Sequence, residues 1–600
     1  MNLKRSTGIS FLLIALMVFS GGWFYSRTFA KGDDFYESII RFDDVFKKIK
    51  TNYVVDVPAE SLLVYAINYG MRDILDPHTS YFEEKDYDNL MIHTKGEFGG
   101  LGITIGVPDN ILTVIAPLPI PNSPAMKAGL MAGDRILKID GKTTEGIELD
   151  AAVNKLRGPK GTLVKLSIGR EGVLEPFEVE LERDIIKINS VEYAGIVDAK
   201  NKIGYIKLVS FTQTTSQEMD EALKQLNAKG IQSLVLDLRS NPGGLLKEAV
   251  GVSEKFLPAG KLVVYTQGRN PSQKVVFEST AQPVLPDNIP LVVLVSPGSA
   301  SASEIVAGAI QDHDRGVIMG NETFGKGSVQ TILPLEQKHA LKLTTAYYYT
   351  PSGRCINKLS NEVGEKRHAF AQKEDEEDAS GRPDSLKAKD TKKKEEFKTL
   401  RLGRTVYGGG GITPDLDVAL ERYTPLEREF ASKQFLFKFA SSELAKQKAQ
   451  GGKNTVPDTF RATDQTYNAF LAYLKTNKFE YTSPEQTLLK ELHKTLDNAR
   501  KDPYDSTKVI PAGPNDPTIN RAIADLDSAI NRDKEYALVK NKDMIKDRLT
   551  QAFLTASVNK EAYYDYVLKK DRYVLEAKKV LLDSKQYERV LKKDFRKSGI

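Results

Sequence analysis

One stretch of the sequence decides the fold, Leu291-Val292-Val293-Leu294-Val295-Ser296-Pro297-Gly298-Ser299-Ala300-Ser301-Ala302-Ser303-Glu304-Ile305-Val306-Ala307-Gly308. It begins as a continuous apolar run, which is typical of a buried strand. A Pro-Gly break follows, and Ser301 to Glu304 then fit a capping box, which predicts a helix start. This geometry places a serine hydroxyl beside free backbone N–H groups. The stretch therefore predicts serines that either cap a helix or supply a nucleophile with its oxyanion site.

Outward from this stretch, residues 186–356 alternate between strand patterns and amphipathic helix patterns. Such alternation predicts parallel βαβ units that bind ligands at the carboxyl ends of the strands. The segment 241–244, Asn-Pro-Gly-Gly, also follows a predicted strand, so we expect it to share one site with the serine turn. Residues 402–418 restore an ordered pattern and are assigned to the same core.

Other segments flank this core. Residues 31–92 predict a helical domain, because apolar residues recur in steps of three and four. Residues 357–401 are rich in Lys, Glu and Asp, which predicts a disordered, solvated insertion. Residues 419–600 predict a second helical domain, which serves either as a partner surface or as a buttress.

The composition bounds the function. A chain of 600 residues is too long for one hydrophobic core, so several domains are expected. The net charge of +5 is small for this length and gives no support to a nucleic-acid-binding protein. Cys355 is the only cysteine, which excludes an intrachain disulfide and a cysteine-based zinc cluster. We expect no metal and no cofactor.

The first 30 residues predict export. Basic residues precede an apolar stretch at 8–25, and Thr28-Phe29-Ala30 resembles a small-residue cleavage site. The protein is therefore expected in the periplasm or cell envelope. Because a spanning helix needs about 20 apolar residues, the stretch is borderline, and both a cleaved signal and an inner-membrane anchor stay open.

Residues 93–185 form a distinct module. Gly100-Leu101-Gly102-Ile103 is a glycine loop that runs into a strand, and a later strand ends in the Asp-Gly turn at 140–141. Glycines let consecutive backbone N–H groups converge on an anion, and a strand edge can accept an extended peptide. The order of these segments resembles a PDZ domain, which implies that the loop at 100–103 binds the carboxylate of a peptide C-terminus.

A serine nucleophile needs a base, and Lys326 is the candidate. It lies between two glycines in a tight loop before a predicted strand. A lysine acts as a base only when neutral, so burial must lower its pKa. Gln330 shares a face with Lys326 if that strand is regular, and it could then hold the amine in place.

Three rival interpretations are weaker. A helix would carry His313 about 18 Å from Ser301, so this histidine is rejected as the base. The segment Gly320 to Lys326 begins like a P-loop, but Gly327 stands where a hydroxyl residue would hold magnesium. The absence of a Gly-x-Ser-x-Gly elbow argues against an α/β-hydrolase triad.

The motifs occur in the order found in the carboxy-terminal processing (tail-specific) proteases, and the resemblance spans residues 35–356. It rests on Leu75 to Tyr81, the PDZ-like module, Leu238 to Gly244, Ser299 to Ala307, and Thr323 to Gln330. The family's pattern implies a crotonase-like core. It also implies Ser301 as the nucleophile, Lys326 as the base and Gln330 as the supporting residue.

The same resemblance implies two further sets of residues. The oxyanion hole falls on the backbone N–H groups of Ala302 and of Gly243 or Gly244. Arg157 matches an arginine of the family's PDZ domain that takes part in gating the active site. We therefore expect a multidomain α/β protein with a PDZ domain, an N-terminal helical segment and a C-terminal helical domain.

The expected function is that of an exported serine endopeptidase. Its PDZ domain would bind apolar protein C-termini, and cleavage near the C-terminus would pass through an acyl-enzyme on Ser301. The contrasting hypothesis is a catalytically inactive, PDZ-bearing envelope scaffold. An envelope adaptor is a further candidate partner, and the oligomeric state stays open.

Overall fold

The computed structural model describes residues 33–592, with gaps at 56–57, 116–119, 121, 171–172, 359–394, 421–422, 454, 500–516 and 558. The predicted export signal at 1–30 and most of the predicted insertion at 357–401 lie outside the described residues. Within the described part of the chain, no helix combines the length and the apolar character that a membrane crossing requires.

The helices are α1 Asp33–Asn52, α2 Ala59–Ile74, α3 Glu84–Lys95, α4 Pro124–Lys127, α5 Leu149–Leu156, α6 Thr215–Ala228, α7 Leu246–Ser253, α8 Ala302–Asp312, α9 Pro425–Ser432, α10 Phe435–Ala449, α11 Asp464–Thr476, α12 Pro484–Ala499, α13 Pro517–Lys540, α14 Lys542–Ala556, α15 Lys560–Val567, α16 Arg572–Leu582 and α17 Ser584–Leu591. The strands are β1 Ser80–Phe82, β2 Glu97–Gly100, β3 Thr104–Gly106, β4 Thr113–Ile115, β5 Arg135–Ile139, β6 Lys142–Thr143, β7 Leu163–Gly169, β8 Phe177–Glu182, β9 Asp184–Lys187, β10 Val191–Asp198, β11 Ile203–Leu208, β12 Ser233–Asp237, β13 Leu262–Gly268, β14 Val275–Glu278, β15 Leu291–Val295, β16 Val317–Gly320, β17 Ser328–Pro334, β18 Ala340–Tyr349, β19 Glu396–Lys398, β20 Thr405–Tyr407 and β21 Leu416–Asp417.

The chain divides into two compact units. The smaller unit contains the described residues up to Glu84 together with Gln330–Thr344. In it, α1 and α2 precede β1, which pairs antiparallel with the start of β18, Ser80 opposite Lys342. The prediction of helices in the first part of the chain agrees with α1 and α2.

The larger unit contains Lys85–Val329 and the described residues from Thr345 onward. Its first part is an antiparallel sheet in the order β3-β4-β5-β7-β8, with β6 pairing with β5. Leu101, Ile136 and Leu166 are buried in the core of this sheet together with Ala152 of α5. The alternation of buried and exposed residues along β7 accounts for this one-sided packing.

The centre of the larger unit is a six-stranded sheet in the order β10-β11-β12-β15-β16-β21. All neighbours from β11 to β21 are parallel, and only the edge strand β10 is antiparallel. Every residue of β15 is buried, as the continuous apolar run predicts for a strand covered on both faces. The predicted parallel βαβ core is therefore confirmed.

Helices cover both faces of this sheet. On one face, residues of α6, α7 and α8 pack with the inward residues of β12 and β15 in one hydrophobic cluster. On the other face, Val235, Val292 and Leu294 pack against Val574 and Ala577 of α16. The second layer thus comes from α15 to α17, far along the chain.

The helices α9, α10, α11, α13 and α14 share a hydrophobic core of their own, which includes Phe430, Phe439, Phe470 and Leu549. The segment 419–600, predicted as one helical domain, therefore contains two groups of helices that pack against different partners. The earlier helices pack mainly on one another, whereas α15 to α17 pack on the central sheet. For these last helices, the buttress alternative describes the packing.

Candidate active site

The predicted strand, turn and helix meet at Ser301. This serine precedes α8 and has a φ of +55° and a ψ of −113°. A positive φ is strained for a residue with a side chain and is typical of functional turns. The Glu304 side chain turns back and accepts the Ser301 N–H at 2.8 Å, as a capping box predicts. Ser301 thus has a strained backbone conformation at a strand-to-helix turn, although the sequence lacks the Gly-x-Ser-x-Gly motif.

The Glu304 carboxylate is fully buried and joins two active-site segments. Beside the Ser301 N–H, it accepts the Thr323 hydroxyl at 2.5 Å, the Gly325 N–H at 2.7 Å and the Lys326 N–H at 2.9 Å. Burial raises the pKa of Glu304, and these hydrogen bonds oppose the rise. From sequence, Glu304 was predicted only as a helix cap. Its link to Lys326 was missed because the donors lie on a loop about 20 residues away.

The Lys326 loop requires glycine on both sides. Gly325 has a φ of +87°, and a Cβ there would lie 2.7 Å from the Lys358 side chain. A Cβ on Gly327 would lie 2.8 Å from the backbone nitrogen of Asn357. The Gly327 N–H donates to Asn357 Oδ1 at 3.2 Å. The two glycines therefore let residues 357–358 pack closely against the backbone on both sides of Lys326.

The second turn predicted for the site does approach the first. A Cβ added to Gly243 would lie 2.8 Å from both the Ser301 Cβ and the Ala302 nitrogen. The Gly243 N–H, however, donates to Asn241 Oδ1 at 2.9 Å. Phe211 forms two backbone hydrogen bonds with this segment, one to the Gly243 carbonyl and one from the Leu245 N–H. Neither of them uses the Gly244 N–H. Ala302 is the first residue of α8, where an N–H has no acceptor within the helix.

Tyr348 is a site residue that sequence reasoning missed. It is 1% exposed, and its hydroxyl donates to the backbone carbonyl of Lys326. Burial raises the pKa of Tyr348 well above its ordinary value, the Glu304 charge adds to the rise, and a hydrogen bond with the Ser301 side chain opposes it. The only signal in the sequence is strand alternation in the run Tyr347-Tyr348-Tyr349, which turns one tyrosine to the opposite face from its neighbours.

Gln330 and His313 are the two remaining side chains that the sequence considered beside the lysine. Gln330 lies on β17 in the smaller unit, where its Nε2 donates to Thr344 Oγ1 at 3.3 Å. Its role beside the lysine stays a prediction. His313 ends α8, and its Nε2 lies 2.7 Å from the Leu262 carbonyl oxygen. His313 thus lies at the opposite end of α8 from Ser301, which agrees with its rejection as the base.

The predicted PDZ loop is held by backbone contacts. The Gly102 carbonyl accepts the Ile120 N–H at 2.9 Å, and the Leu101 carbonyl accepts the Ala125 N–H at 3.1 Å. Gly102 has a φ of +73°, and a Cβ there would lie 2.4 Å from the Ser123 Cβ. Gly100 ends β2, and Ile103 directly precedes β3. Peptide binding by the residues 100–103 stays a prediction.

Arg157, the predicted gating residue, contacts the helix that follows β1. Its Nη1 donates to Asn89 Oδ1 at 2.7 Å, and its guanidinium lies 5.0 Å from the centre of the Phe98 ring. Partial burial lowers the pKa of Arg157. These contacts connect α3, β2 and the end of α5.

Family models match three segments of the chain. Residues 202–363 match Peptidase family S41, residues 117–170 match a PDZ domain, and residues 426–581 match the model described as "Probable PDZ-protease, C-terminal helical domain". The carboxy-terminal-processing protease of Bartonella bacilliformis is 46% identical over 325 residues, which cover 54% of this chain and 73% of that protein. The chain belongs to the carboxy-terminal processing protease family.

Other carboxy-terminal processing proteases are also similar. The enzyme of Synechocystis sp. is 39% identical over 298 residues, covering 49% of this chain and 68% of that protein. A solved photosystem II D1 C-terminal processing protease is 28% identical, covers 53% of this chain and 89% of that chain, and has a TM-score of 0.31. As a carboxy-terminal processing protease, the chain is a serine-type peptidase with an S41 core, a PDZ domain and a C-terminal helical domain. The predicted fold class and enzyme class are confirmed.

Proposed function

We propose that this carboxy-terminal processing protease cleaves its substrates through an acyl-enzyme on Ser301, with Lys326 as the base. One observation carries the proposal. The backbone N–H groups of both residues bind the same oxygen of Glu304, so their nitrogens can be no farther apart than two hydrogen bonds laid end to end. Two short backbone segments fixed in this way can bring a hydroxyl and an amine together.

The chemistry follows from these groups. Neutral Lys326 takes the proton of the Ser301 hydroxyl as Oγ attacks the scissile carbonyl carbon. The carbonyl oxygen becomes an oxyanion, which the N–H groups of Ala302 and Gly244 stabilise. The intermediate collapses, the C–N bond breaks, and the leaving amine receives the proton from the Lys326 ammonium. Water then attacks the ester with Lys326 again as the base, which releases the acid and restores the hydroxyl.

For substrate binding, we propose that the loop at 100–103 holds the carboxylate of an apolar C-terminus. The backbone of this loop is fixed by its bonds to Ile120 and Ala125, which favours a preformed anion site. Gln330 is proposed to orient the lysine, and Arg157 is proposed to link PDZ occupancy to activity through Asn89.

Location and partners are proposed from the sequence. An export signal or anchor within residues 1–30 places the catalytic domains in the periplasm or cell envelope. The substrates are then envelope proteins with exposed apolar C-termini, delivered directly or by an adaptor. The domain boundaries given above are proposed on the same footing.

The experiment that tests the function compares Ser301→Ala and Lys326→Ala with the parent chain on a peptide that has an apolar C-terminus. Both variants should lose turnover by more than about 10³-fold. Lys358→Ala is the control, because Lys358 borders the same loop and its ammonium forms an ion pair with the half-buried Glu322 at 3.4 Å. A parent chain that binds the peptide without cleaving it would instead support the scaffold hypothesis.

A further inference from the structure

The start of α16 contacts the loop that carries the predicted oxyanion hole. Asp571 caps this helix by accepting the Val574 N–H at 3.0 Å. The same carboxylate accepts two hydrogen bonds from the guanidinium of Arg239, at 3.1 Å from Nη1 and 2.8 Å from Nη2. Arg239 lies between the end of β12 and the glycines Gly243 and Gly244. One carboxylate thus joins a helix start to the glycine loop.

Arg239 is also held from the side of the sheet. Its Nε lies 3.0 Å from Asp237 Oδ1, and its Nη2 lies 2.6 Å from Asp237 Oδ2. Asp237 is fully buried and also accepts the Tyr205 hydroxyl at 2.7 Å. Burial alone would raise the pKa of Asp237, but Lys207 and Arg239 outweigh it and lower this pKa to about 2. Two carboxylates therefore fix the plane of the Arg239 guanidinium, one from β12 and the other from Asp571.

The second residue of α16, Tyr573, reaches the loop that carries the lysine. The Tyr573 ring lies 4.7 Å from the Arg239 guanidinium, and its hydroxyl donates to Asn321 Oδ1 at 2.7 Å. Asn321 opens the segment that leads from β16 to Lys326, and its Nδ2 donates to the Val418 carbonyl at 2.9 Å. A single helical turn therefore contacts both catalytic loops.

We propose that Asp571 and Tyr573 are positioning residues for the peptidase reaction. Asp571 acts through Arg239 on the oxyanion loop, and Tyr573 acts through Asn321 on the lysine loop. This role rests on the proposed function. Since oxyanion stabilisation and proton transfer depend on sub-ångström placement, loosening either loop lowers the rate of the chemical step without removing a group that binds substrate. The start of α16 is thereby a working part of the active site.

The same helix offers a matched control. Lys578 of α16 pairs with Asp198 at the end of β10, with Nζ and Oδ2 3.0 Å apart. This ion pair also joins the helix to the central sheet, but neither residue lies on a loop of the proposed site. Its loss reports what the helix contributes to stability alone.

The test measures kcat and KM of the full chain for Asp571→Asn, Tyr573→Phe and Lys578→Gln, each with its thermal midpoint. Asparagine retains a helix cap, and phenylalanine retains the ring beside Arg239, so both variants should fold. We expect kcat to fall between about 10-fold and 100-fold in the first two variants, with KM within about twofold. Lys578→Gln should keep the parent kcat even if its thermal midpoint falls by as much as the midpoints of the other two variants.

Each other outcome is decisive. Parent-like kcat in both Asp571→Asn and Tyr573→Phe would overturn the positioning role while leaving the proposed function intact. A rise in KM at constant kcat, or an equal loss of kcat in Lys578→Gln, would overturn it as well. A parent chain without peptidase turnover would overturn the proposed function and, with it, this role.

Discussion

Ser301 and Lys326 donate their backbone N–H groups to one carboxylate oxygen, at 2.8 and 2.9 Å. The acceptor, Glu304, lies on the first turn of α8 and is fully buried. The two residues proposed as nucleophile and base are therefore fixed by a third side chain that touches neither of their functional groups through these bonds. This arrangement makes the geometry of the pair depend on a single buried anion.

Glu304→Gln should lower both stability and activity. An amide offers one acceptor oxygen where the carboxylate offers two, so N–H donors from the Ser301 and lysine loops lose their partner. Each unmet buried donor costs about 1–3 kcal/mol, so two of them predict a loss of about 2–6 kcal/mol in the free energy of unfolding. Denaturant unfolding and peptide hydrolysis measure the two effects, and we expect at least a tenfold fall in kcat, about the size set by misplaced catalytic groups.

The control for this variant is Glu248→Gln. Glu248 accepts one backbone N–H, from Ser216 at 2.8 Å, and can keep that bond through the amide oxygen. Activity should stay near the parent value. If Glu304→Gln behaved like Glu248→Gln, the shared anchor would have no role in catalysis.

Gly243→Ala should abolish peptidase activity. The added Cβ would lie 2.6 Å from the Ala300 carbonyl oxygen and 2.8 Å from the Ser301 Cβ, at a φ of +96°. Either the oxyanion loop or the serine turn must move, and a displacement near 1 Å costs about 10²-fold in rate. Gly260→Ala is the control, because Gly260 has a φ of +77° and open space around it. It should lose only about 1 kcal/mol of stability and stay active, as measured by thermal unfolding and turnover.

Stability should fall between pH 4 and pH 2 through Asp237. Its pKa is lowered from 3.8 to about 2 in the folded chain, so its stabilisation is complete above pH 4 and is lost as the pH falls through 2. A shift of this size corresponds to about 2 kcal/mol. Asp237→Asn should unfold more readily at pH 7, because Arg239 loses its buried partner, and its stability should depend less on pH in this window.

Chemical denaturation at a series of pH values measures this prediction. Asp287→Asn serves as the control, since the exposed Asp287 carboxylate lies 3.3 Å from the buried Arg315, whose guanidinium also donates to four backbone carbonyl groups and so keeps partners in the variant. An Asp237→Asn chain with the same loss of stability between pH 4 and 2 as the parent would contradict the assignment.

Gly102→Ala should weaken binding of peptide C-termini. The Cβ would lie 2.4 Å from the Ser123 Cβ, so the loop at 100–103 has to shift. Fluorescence anisotropy of a labelled apolar peptide should show weaker affinity, and amidation of the peptide's C-terminus should weaken binding to the parent but add little in this variant. Gly146→Ala, at a φ of +69° with no atom near its Cβ, should bind like the parent. Equal affinities in the two variants would argue against this loop as the carboxylate site.

The local fold was predictable from sequence because each signal lies within one element. The apolar run of β15, the capping box at Ser301 and Glu304, and the alternation of strands and helices each need only neighbouring residues. The approach of Gly243 to Ser301 was expected for a related reason, since parallel strands end at the same edge of a sheet.

The remaining parts of the site depend on contacts that no local pattern encodes. Arg239 and Asp571 are 332 positions apart, and neither residue type is unusual in its segment. Tyr348 belongs to a run of three tyrosines, and sequence alternation does not tell which face of β18 meets the lysine loop. For the same reason, the sequence does not predict that α15 to α17 cover the central sheet, because an amphipathic stripe does not show which surface it packs against.

The packing of α15 to α17 on the central sheet also sets a schedule for biosynthesis. Strands β11, β12, β15 and β16 leave the ribosome before α9 to α14, and the helices that cover one of their faces come later still. Until then Val235, Val292 and Leu294 have no covering layer from their own chain. A nascent peptidase therefore completes its core only after the helices α9 to α14 have been synthesised. We expect the central sheet and the active site on its edge to become fully folded late in synthesis.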